Sequence, residues 1–138
     1  MPASAPPLNL DRIHSYHAHI YFSTPEQRAI AATIREEIGQ RFSVQLGHWR
    51  DQPVGPHARG MYQVAFMPGE FARLVPWLML NRRGLTILVH PNTGTPKADH
   101  LLHPLWFGEV LDIYSAVLPD HGEPEDDIIP NTQPSLSP

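Results

Sequence analysis

Apolar and polar side chains alternate near the start of the chain. Residues 16–22, YHAHIYF, follow a period of two, which is typical of a β-strand with one buried face. Successive strand residues point to opposite faces: Ala18, Ile20 and Phe22 to one, and His17, His19 and Tyr21 to the other. The apolar face is expected to contact the core, and the histidine face to lie on the opposite side of a sheet.

A helix is predicted directly after this strand. Thr24 is a suitable N-cap, Pro25 suits the first helical position, and Gln27 completes a capping box. An apolar stripe with a spacing of four residues follows, at Ile30, Ile34 and Ile38. Gly39 is the expected end of the helix.

The same patterns predict three further strands and one further helix. The strands are expected at 42–49, 61–66 and 85–90, and the helix at about 69–81. Pro76 is expected to kink or restart that helix, because proline removes a backbone donor and crowds the preceding turn. The segment 105–118 fits either a short helix or a further strand.

The predicted order is βαββαβ, which indicates an α+β protein. Such a unit closes most simply as a ferredoxin-like, four-stranded antiparallel sheet with both helices on one face. We expect one domain at 12–118, preceded by a flexible segment at 1–11. Residues 119–138 are rich in proline and acids, and are expected to be disordered or to lie on the surface; docking of Ile128 and Ile129 is the alternative.

Composition excludes several classes of function. The 138 residues include no cysteine, so disulfides, thiolate metal sites and cysteine nucleophiles are absent. A formal net charge of −4 argues against a general binder of nucleic acids or anionic membranes. No apolar run is long enough to span a bilayer and no secretory signal is recognisable. We therefore expect a cytoplasmic protein without nucleic-acid or membrane partners.

Histidines are the candidate chemistry, because the predicted topology brings several of them together. The first strand lies between the third and the fourth in this fold, so the face without helices collects four imidazoles from three segments: His17, His19, His57 and His90. His100 follows in the next loop, with Asp99 before it in position to orient it. Imidazole binds first-row transition metals and titrates near neutral pH. The other histidines are expected bystanders: His14, His48, His103 and His121.

Other chemistries find less support. The sequence lacks a GxGxxG, a P-loop and a GxSxG motif. No carboxylate pair stands out on the histidine face. The acids that could supply a carboxylate ligand all lie in loops or in the C-terminal segment: Asp51, Asp99, Glu109 and Asp112. A site of three histidines and a site of two histidines with one carboxylate both stay open.

Five sequence blocks, in order and spacing, resemble the DOPA 4,5-dioxygenase family. They are YHAHIYF, VQLGHW, VGPHARGMYQVAF, LVPWLMLNRRGLTILVHPNTG and ADHLLHPLWFG, and the resemblance covers about residues 12–113. One departure is Ala58, where the family motif Gly-Pro-His-Pro usually ends in proline.

This resemblance implies a ferredoxin-like, non-haem iron(II) extradiol dioxygenase that opens a catechol ring with O2. The histidine-bearing blocks of the family map onto His17, His19, His57, His90 and His100. Three of His17, His19, His57 and His90 are expected to hold Fe(II), and Zn or Ni is expected to be able to replace it. His100, or a strand histidine such as His17 that is not a ligand, is expected to move the catechol proton.

Further candidates complete the expected site. Four aromatic residues are candidates for the pocket wall: Tyr16, Tyr21, Trp49 and Trp106. Four arginines are candidates to bind a substrate carboxylate: Arg50, Arg59, Arg82 and Arg83.

Two alternatives to the dioxygenase are a metal-free monooxygenase or isomerase of the same fold, and a non-catalytic histidine-lined binding module. A homodimer is expected, because a second copy often covers an open sheet face.

Overall fold

The computed structural model describes residues 4–122 and 127–138, which form an α+β fold as predicted. Five strands form one antiparallel sheet: β1 (Ser15–Phe22), β2 (Gln45–Leu46), β3 (Gly60–Phe66), β4 (Ile87–Asn92) and β5 (Leu105–Phe107). Three α-helices accompany it: α1 (Pro25–Arg41), α2 (Phe71–Asn81) and α3 (Pro96–Leu101). Within the described ranges, none of the helices has the length and apolar character needed to cross a membrane. Residues 1–3 of the expected N-terminal segment and 123–126 of the acidic tail lie outside the described residues.

The sheet has the order β2-β3-β1-β4-β5, with β1 in the centre. β1 pairs antiparallel with β3 on one side and with β4 on the other, as the sequence predicts. The sheet has five strands rather than the predicted four, because the ambiguous segment after Pro104 contributes β5 at the edge of β4. The ferredoxin-like description stays a prediction.

The main core lies between one face of the sheet and the helices α1 and α2. Ala18, Ile20 and Phe22 of β1 belong to it, as the alternation predicts. They pack with Ile34 and Ile38 of α1 and with apolar residues of α2. The buried Tyr62 hydroxyl on β3 donates to the Ala31 carbonyl at 2.7 Å, which ties the sheet to α1.

Helix α1 begins as predicted and ends later than predicted. The Thr24 hydroxyl accepts from the Gln27 amide at 3.1 Å, and the Gln27 side chain accepts from the Ser23 amide at 2.8 Å. The helix continues through Gly39 and ends at Arg41, because the buried Phe42 follows as its C-cap. Helix α2 likewise continues through Pro76. Proline has no backbone N–H, so one carbonyl of the preceding turn lacks its helical partner. Pro76 is exposed, which leaves that carbonyl on the solvent side of the helix.

β2 is much shorter than the predicted strand at 42–49. On one side β2 pairs with β3, and on its outer side the backbone bonds to side chains of the C-terminal tail. Thr132 Oγ1 accepts from the Val44 amide at 2.9 Å, and Asn131 Oδ1 accepts from the Leu46 amide at 2.9 Å. These contacts hold the described end of the tail against the body.

The second face of the sheet is covered by the same chain. Tyr21, Met61 and Leu88 form a small apolar cluster there, and Trp106, Leu111 and Ile113 pack against it. Helix α3 also lies over this face, so the expectation of a helix-free face is wrong. Residues of the same chain bury Leu88, so its burial does not require a second copy. The homodimer stays a prediction.

The start of β3 tests how closely the elements pack. A Cβ added at Gly60 would lie 2.7 Å from Phe22 Cε2 and 3.0 Å from the carbonyl oxygens of Arg50 and Asp51. We predict that Gly60→Ala lowers the free energy of unfolding by about 1–3 kcal/mol, because overpacking forces neighbouring groups to move. Urea unfolding measures the change. Gly69→Ala is the matched control, because nothing lies within 4 Å of its added Cβ; equal effects of the two substitutions would contradict the packing described.

Candidate metal centre

Strands β1 and β4 bring three histidines together on the second face of the sheet. His17 and His19 are two residues apart on β1, and His90 on β4 lies opposite His17 in the strand register. The ring centroids of His17 and His90 are 5.1 Å apart. The Nε2 atoms of His19 and His90 are only 3.1 Å apart. Backbone pairing in the centre of the sheet therefore fixes this group.

His57 reaches the cluster from the loop that precedes β3. Its ring centroid lies 4.2 Å from that of His19. Its Nδ1 lies 2.7 Å from the hydroxyl oxygen of Tyr21, which is itself buried. The loop is held in place because the Tyr114 amide donates to the Pro56 carbonyl at 2.9 Å. His57 on this loop therefore lies beside His19.

His100 reaches the cluster from helix α3, which the sequence did not predict. Its ring centroid lies 4.0 Å from that of His90, and its Nδ1 donates to the Pro96 carbonyl at 2.8 Å. Asp99 does not orient His100 through a hydrogen bond, contrary to expectation. Its buried carboxylate accepts from the Thr93 amide at 2.9 Å and from the Thr93 hydroxyl at 2.6 Å, and so holds the turn between β4 and α3.

Backbone carbonyls determine the tautomer of two of the imidazoles. Nδ1 of His90 lies 2.9 Å from the Pro91 carbonyl, as Nδ1 of His100 does from that of Pro96. A carbonyl only accepts, so in both rings Nδ1 carries the proton and Nε2 keeps its lone pair. Metal-ligating histidines are commonly held in this way. These carbonyl partners are not predictable from sequence, since each depends on the local path of the backbone.

Burial keeps most of the cluster neutral. Burial is the main cause that lowers the pKa of His19, and repulsion from the neighbouring histidines lowers it further. Burial, and then the same repulsion, also lowers the pKa of His90. Burial lowers the pKa of His57 to about 4 and also lowers that of His100. Neutral imidazole is the form that binds metals, so these side chains are in the ligating state near pH 7.

The donor set fits a divalent first-row metal. Within the described part of the chain, two groups of three histidines bring their nitrogen atoms within 4.8 Å of one another: His17, His19 and His90, and His19, His57 and His100. Two imidazole nitrogens each ~2.1 Å from one ion at a right angle lie about 3 Å apart, close to the separation of the His19 and His90 Nε2 atoms. Neither group includes a carboxylate, so among the described residues the clustered donors are histidines alone.

A cavity of about 280 Å³ opens beside the cluster. His17, His90 and His100 line it, and so do two residues that the sequence reasoning missed, Arg12 and Asn92. His14, an expected bystander, also lines it.

The aromatic candidates divide between the two faces of the sheet. Tyr21 and Trp106 lie on the histidine face, with ring centroids 6.1 Å apart. Tyr16 and Trp49 pack against the main core instead, so they are not part of the histidine face. Tyr16 has the same strand parity as Ala18, and the alternation itself predicts this placement.

None of the four arginines expected to bind a substrate carboxylate lines the cavity. Arg59 pairs with Glu109 at 3.0 Å, and Arg83 pairs with Glu37 at 2.6 Å. Arg82 donates to the Leu85 carbonyl at 2.9 Å. The exposed Arg50 lies at a bridge to Met61 on the edge of the sheet.

The chain matches a known protein family and a solved structure. The model of the Dopa 4,5-dioxygenase family matches residues 16–117, a range that contains all five clustered histidines. A crystal structure of a candidate dioxygenase from Nostoc punctiforme is 50% identical, with a TM-score of 0.79. The match covers 80% of this chain and 96% of that one.

Two fungal proteins are also similar. An uncharacterised 21.2 kDa protein from Botryotinia fuckeliana is 34% identical over 110 residues, which is 73% of this chain and 58% of that protein. DOPA 4,5-dioxygenase from Amanita muscaria is 33% identical over 133 residues, which is 90% of this chain and 56% of that enzyme. The chain thus spans somewhat more than half the length of these two relatives.

The lowered pKa of His57 predicts a pH-dependent stability of the protein in EDTA. The unfolded chain, with a histidine pKa near 6.5, binds more protons than the folded protein below that pH. Stability should therefore fall as the pH drops from 6.5 towards 4. Between pH 7 and pH 5, we predict that wild type loses about 2 kcal/mol more than His57→Gln. Urea unfolding at both pH values measures this, and equal losses would show that His57 is not held neutral.

Proposed function

The chain belongs to the Dopa 4,5-dioxygenase family, and on this premise we propose that it is an iron(II)-dependent extradiol dioxygenase. Its substrates would be a catechol and O2. The observation that carries the proposal is the group of His17, His19 and His90 on paired strands, next to a cavity large enough for one aromatic ring.

We assign the metal to His17, His19 and His90 rather than to His19, His57 and His100. The first group lies entirely on β1 and β4, where the strand register holds its members, and two of its members line the cavity. His57, in contrast, does not line the cavity and bonds to Tyr21. A rigid scaffold and access for substrate both favour the first group.

Iron(II) held there would supply the redox chemistry that joins dioxygen to an aromatic ring. The protein's own contribution begins with His100, which lines the cavity outside the proposed ligand group. Its Nε2 carries a lone pair, because Nδ1 donates to the Pro96 carbonyl. We propose that Nε2 accepts a proton from a catechol hydroxyl and returns it later in the reaction.

An apolar cluster lies on the same face of the sheet as the histidines. It consists of Tyr21, Met61 and Leu88, with Trp106 packed against it. The reaction would place both atoms of O2 in the product, a ring-opened semialdehyde carboxylate, so it needs no external reductant.

The proposed activity is tested by loading the protein with iron(II) without oxygen and then adding a catechol in aerated buffer. We predict uptake of one O2 for each catechol consumed and formation of a coloured ring-opened product. Chelation of the iron before the catechol is added should abolish both. Activity that survives chelation would indicate the metal-free enzyme, and metal binding without turnover of any catechol would indicate a binding module.

Variants distinguish the two histidine groups. Replacement of His17 or His90 by Ala should lower iron affinity more than the roughly 10- to 100-fold cost of losing an outer partner. His57→Ala should cost less than either. His48→Ala is the matched control, because His48 is exposed and outside both groups. A larger loss in His57→Ala than in His17→Ala would contradict the assignment.

A further inference from the structure

A guanidinium group borders the histidine cavity. Arg12 lines this cavity, and within the described residues it is the only arginine or lysine that does so. Its side chain is exposed and makes no hydrogen bond or ion pair with any described residue. Three other arginines are paired with carboxylates at 3.0 Å or less: Arg28, Arg59 and Arg83. Arg12 is therefore available to a ligand.

The backbone holds Arg12 beside the cavity. It is the last residue of a short 3-10 helix, Leu10–Arg12, whose first turn is capped because the Asn9 side chain accepts from the Asp11 amide at 2.8 Å. Two residues later, the His14 amide donates to the Asn92 carbonyl at 2.9 Å, at the end of β4. Arg12 thus has a fixed attachment point next to the strand that carries His90.

The described groups around the cavity favour an anion. Asp99 is the only described carboxylate that lines it, and both of its oxygens already accept hydrogen bonds from Thr93. Among the described residues, the lining thus offers one unpaired cation and no unpaired carboxylate. A guanidinium is also suited to bind a carboxylate through two parallel hydrogen bonds.

We propose that Arg12 binds the carboxylate of the substrate and selects catechols that carry an acidic side chain. The inference rests on the proposed dioxygenase function and deepens it. The ring hydroxyls would face the histidines and the side chain would extend towards Arg12. The cavity volume of about 280 Å³ lies just below the 300–1,000 Å³ common for ligand sites, so a substrate with one ring and a short chain fits.

A second, more apolar cavity of about 360 Å³ shares Arg12 with the first. Leu8, Leu10 and Ile13 are among the residues that line it. Of these two cavities, only the first is lined by His17 and His100, so a catechol that reaches both histidines would occupy that one. Arg12 would then meet the side chain of the substrate from the boundary between the two.

The test compares two catechols of similar shape: 3-(3,4-dihydroxyphenyl)propionate, which carries a carboxylate, and 4-ethylcatechol, which does not. We expect Arg12→Gln to lower kcat/KM for the propionate by about 10- to 100-fold, mainly through KM. The value for 4-ethylcatechol should change less than threefold. Arg12→Lys should recover part of the loss. Arg50→Gln is the matched control, because Arg50 is exposed and outside the cavity.

Binding measured separately keeps this inference distinct from the proposed activity. Titration calorimetry without oxygen gives the affinity of both catechols for the iron-loaded protein. Weaker binding of the propionate alone in Arg12→Gln supports the assignment, even if neither compound is turned over and the dioxygenase proposal fails. Equal effects on both catechols, or no effect on either, would overturn it.

Discussion

The antiparallel pairing of β1 with β3 and β4 is the constraint on which the rest of the molecule depends. Because β1 is central, its alternating residues must satisfy two environments at once. Ala18 and Ile20 enter the core between the sheet and the helices, and His17 and His19 project to the opposite face. A shift of one residue in this register would bury the histidines in the core and remove the site. The stability of the fold and the position of the cluster are therefore one property.

Burying several imidazoles together costs free energy, and this cost is reduced because the rings are neutral and hydrogen-bonded. Repulsion between charged histidines would be severe at these separations, and burial lowers the pKa of His19 and His90 so that the rings stay uncharged. Carbonyl oxygens of Pro91 and Pro96 hold the protons on Nδ1. Within the histidine cluster, Nδ1 of His19 is buried without a hydrogen-bond partner among the described residues. Most buried polar atoms in folded proteins have a partner, so this one is an exception.

Local patterns made much of this architecture predictable from sequence. The alternation in 16–22, the N-cap Thr24 and the isoleucine stripe of α1 each depend on neighbouring residues only. The convergence of four histidines followed from strand order, which the sequence also indicates: His17, His19, His57 and His90. His100 arrives on α3, which local patterns did not predict. The rest depends on distant contacts. The outer edge of β2 is held by the tail residue Thr132, which bonds to the neighbouring Val44. The Asp99 carboxylate holds the turn before α3 by accepting a hydrogen bond there. Arg12 lies at the cavity because the chain just after it is hydrogen-bonded to Asn92.

We propose that the paired strands β1 and β4 hold the metal. A crystal structure of the iron-loaded protein, with diffraction data collected on both sides of the iron absorption edge, tests this directly. We predict one anomalous peak within bonding distance of imidazole nitrogens from His17, His19 and His90, next to the cavity bordered by His100. A peak bound by His57 and His100 in place of His17 and His90, or the absence of a peak in this cluster, would contradict it.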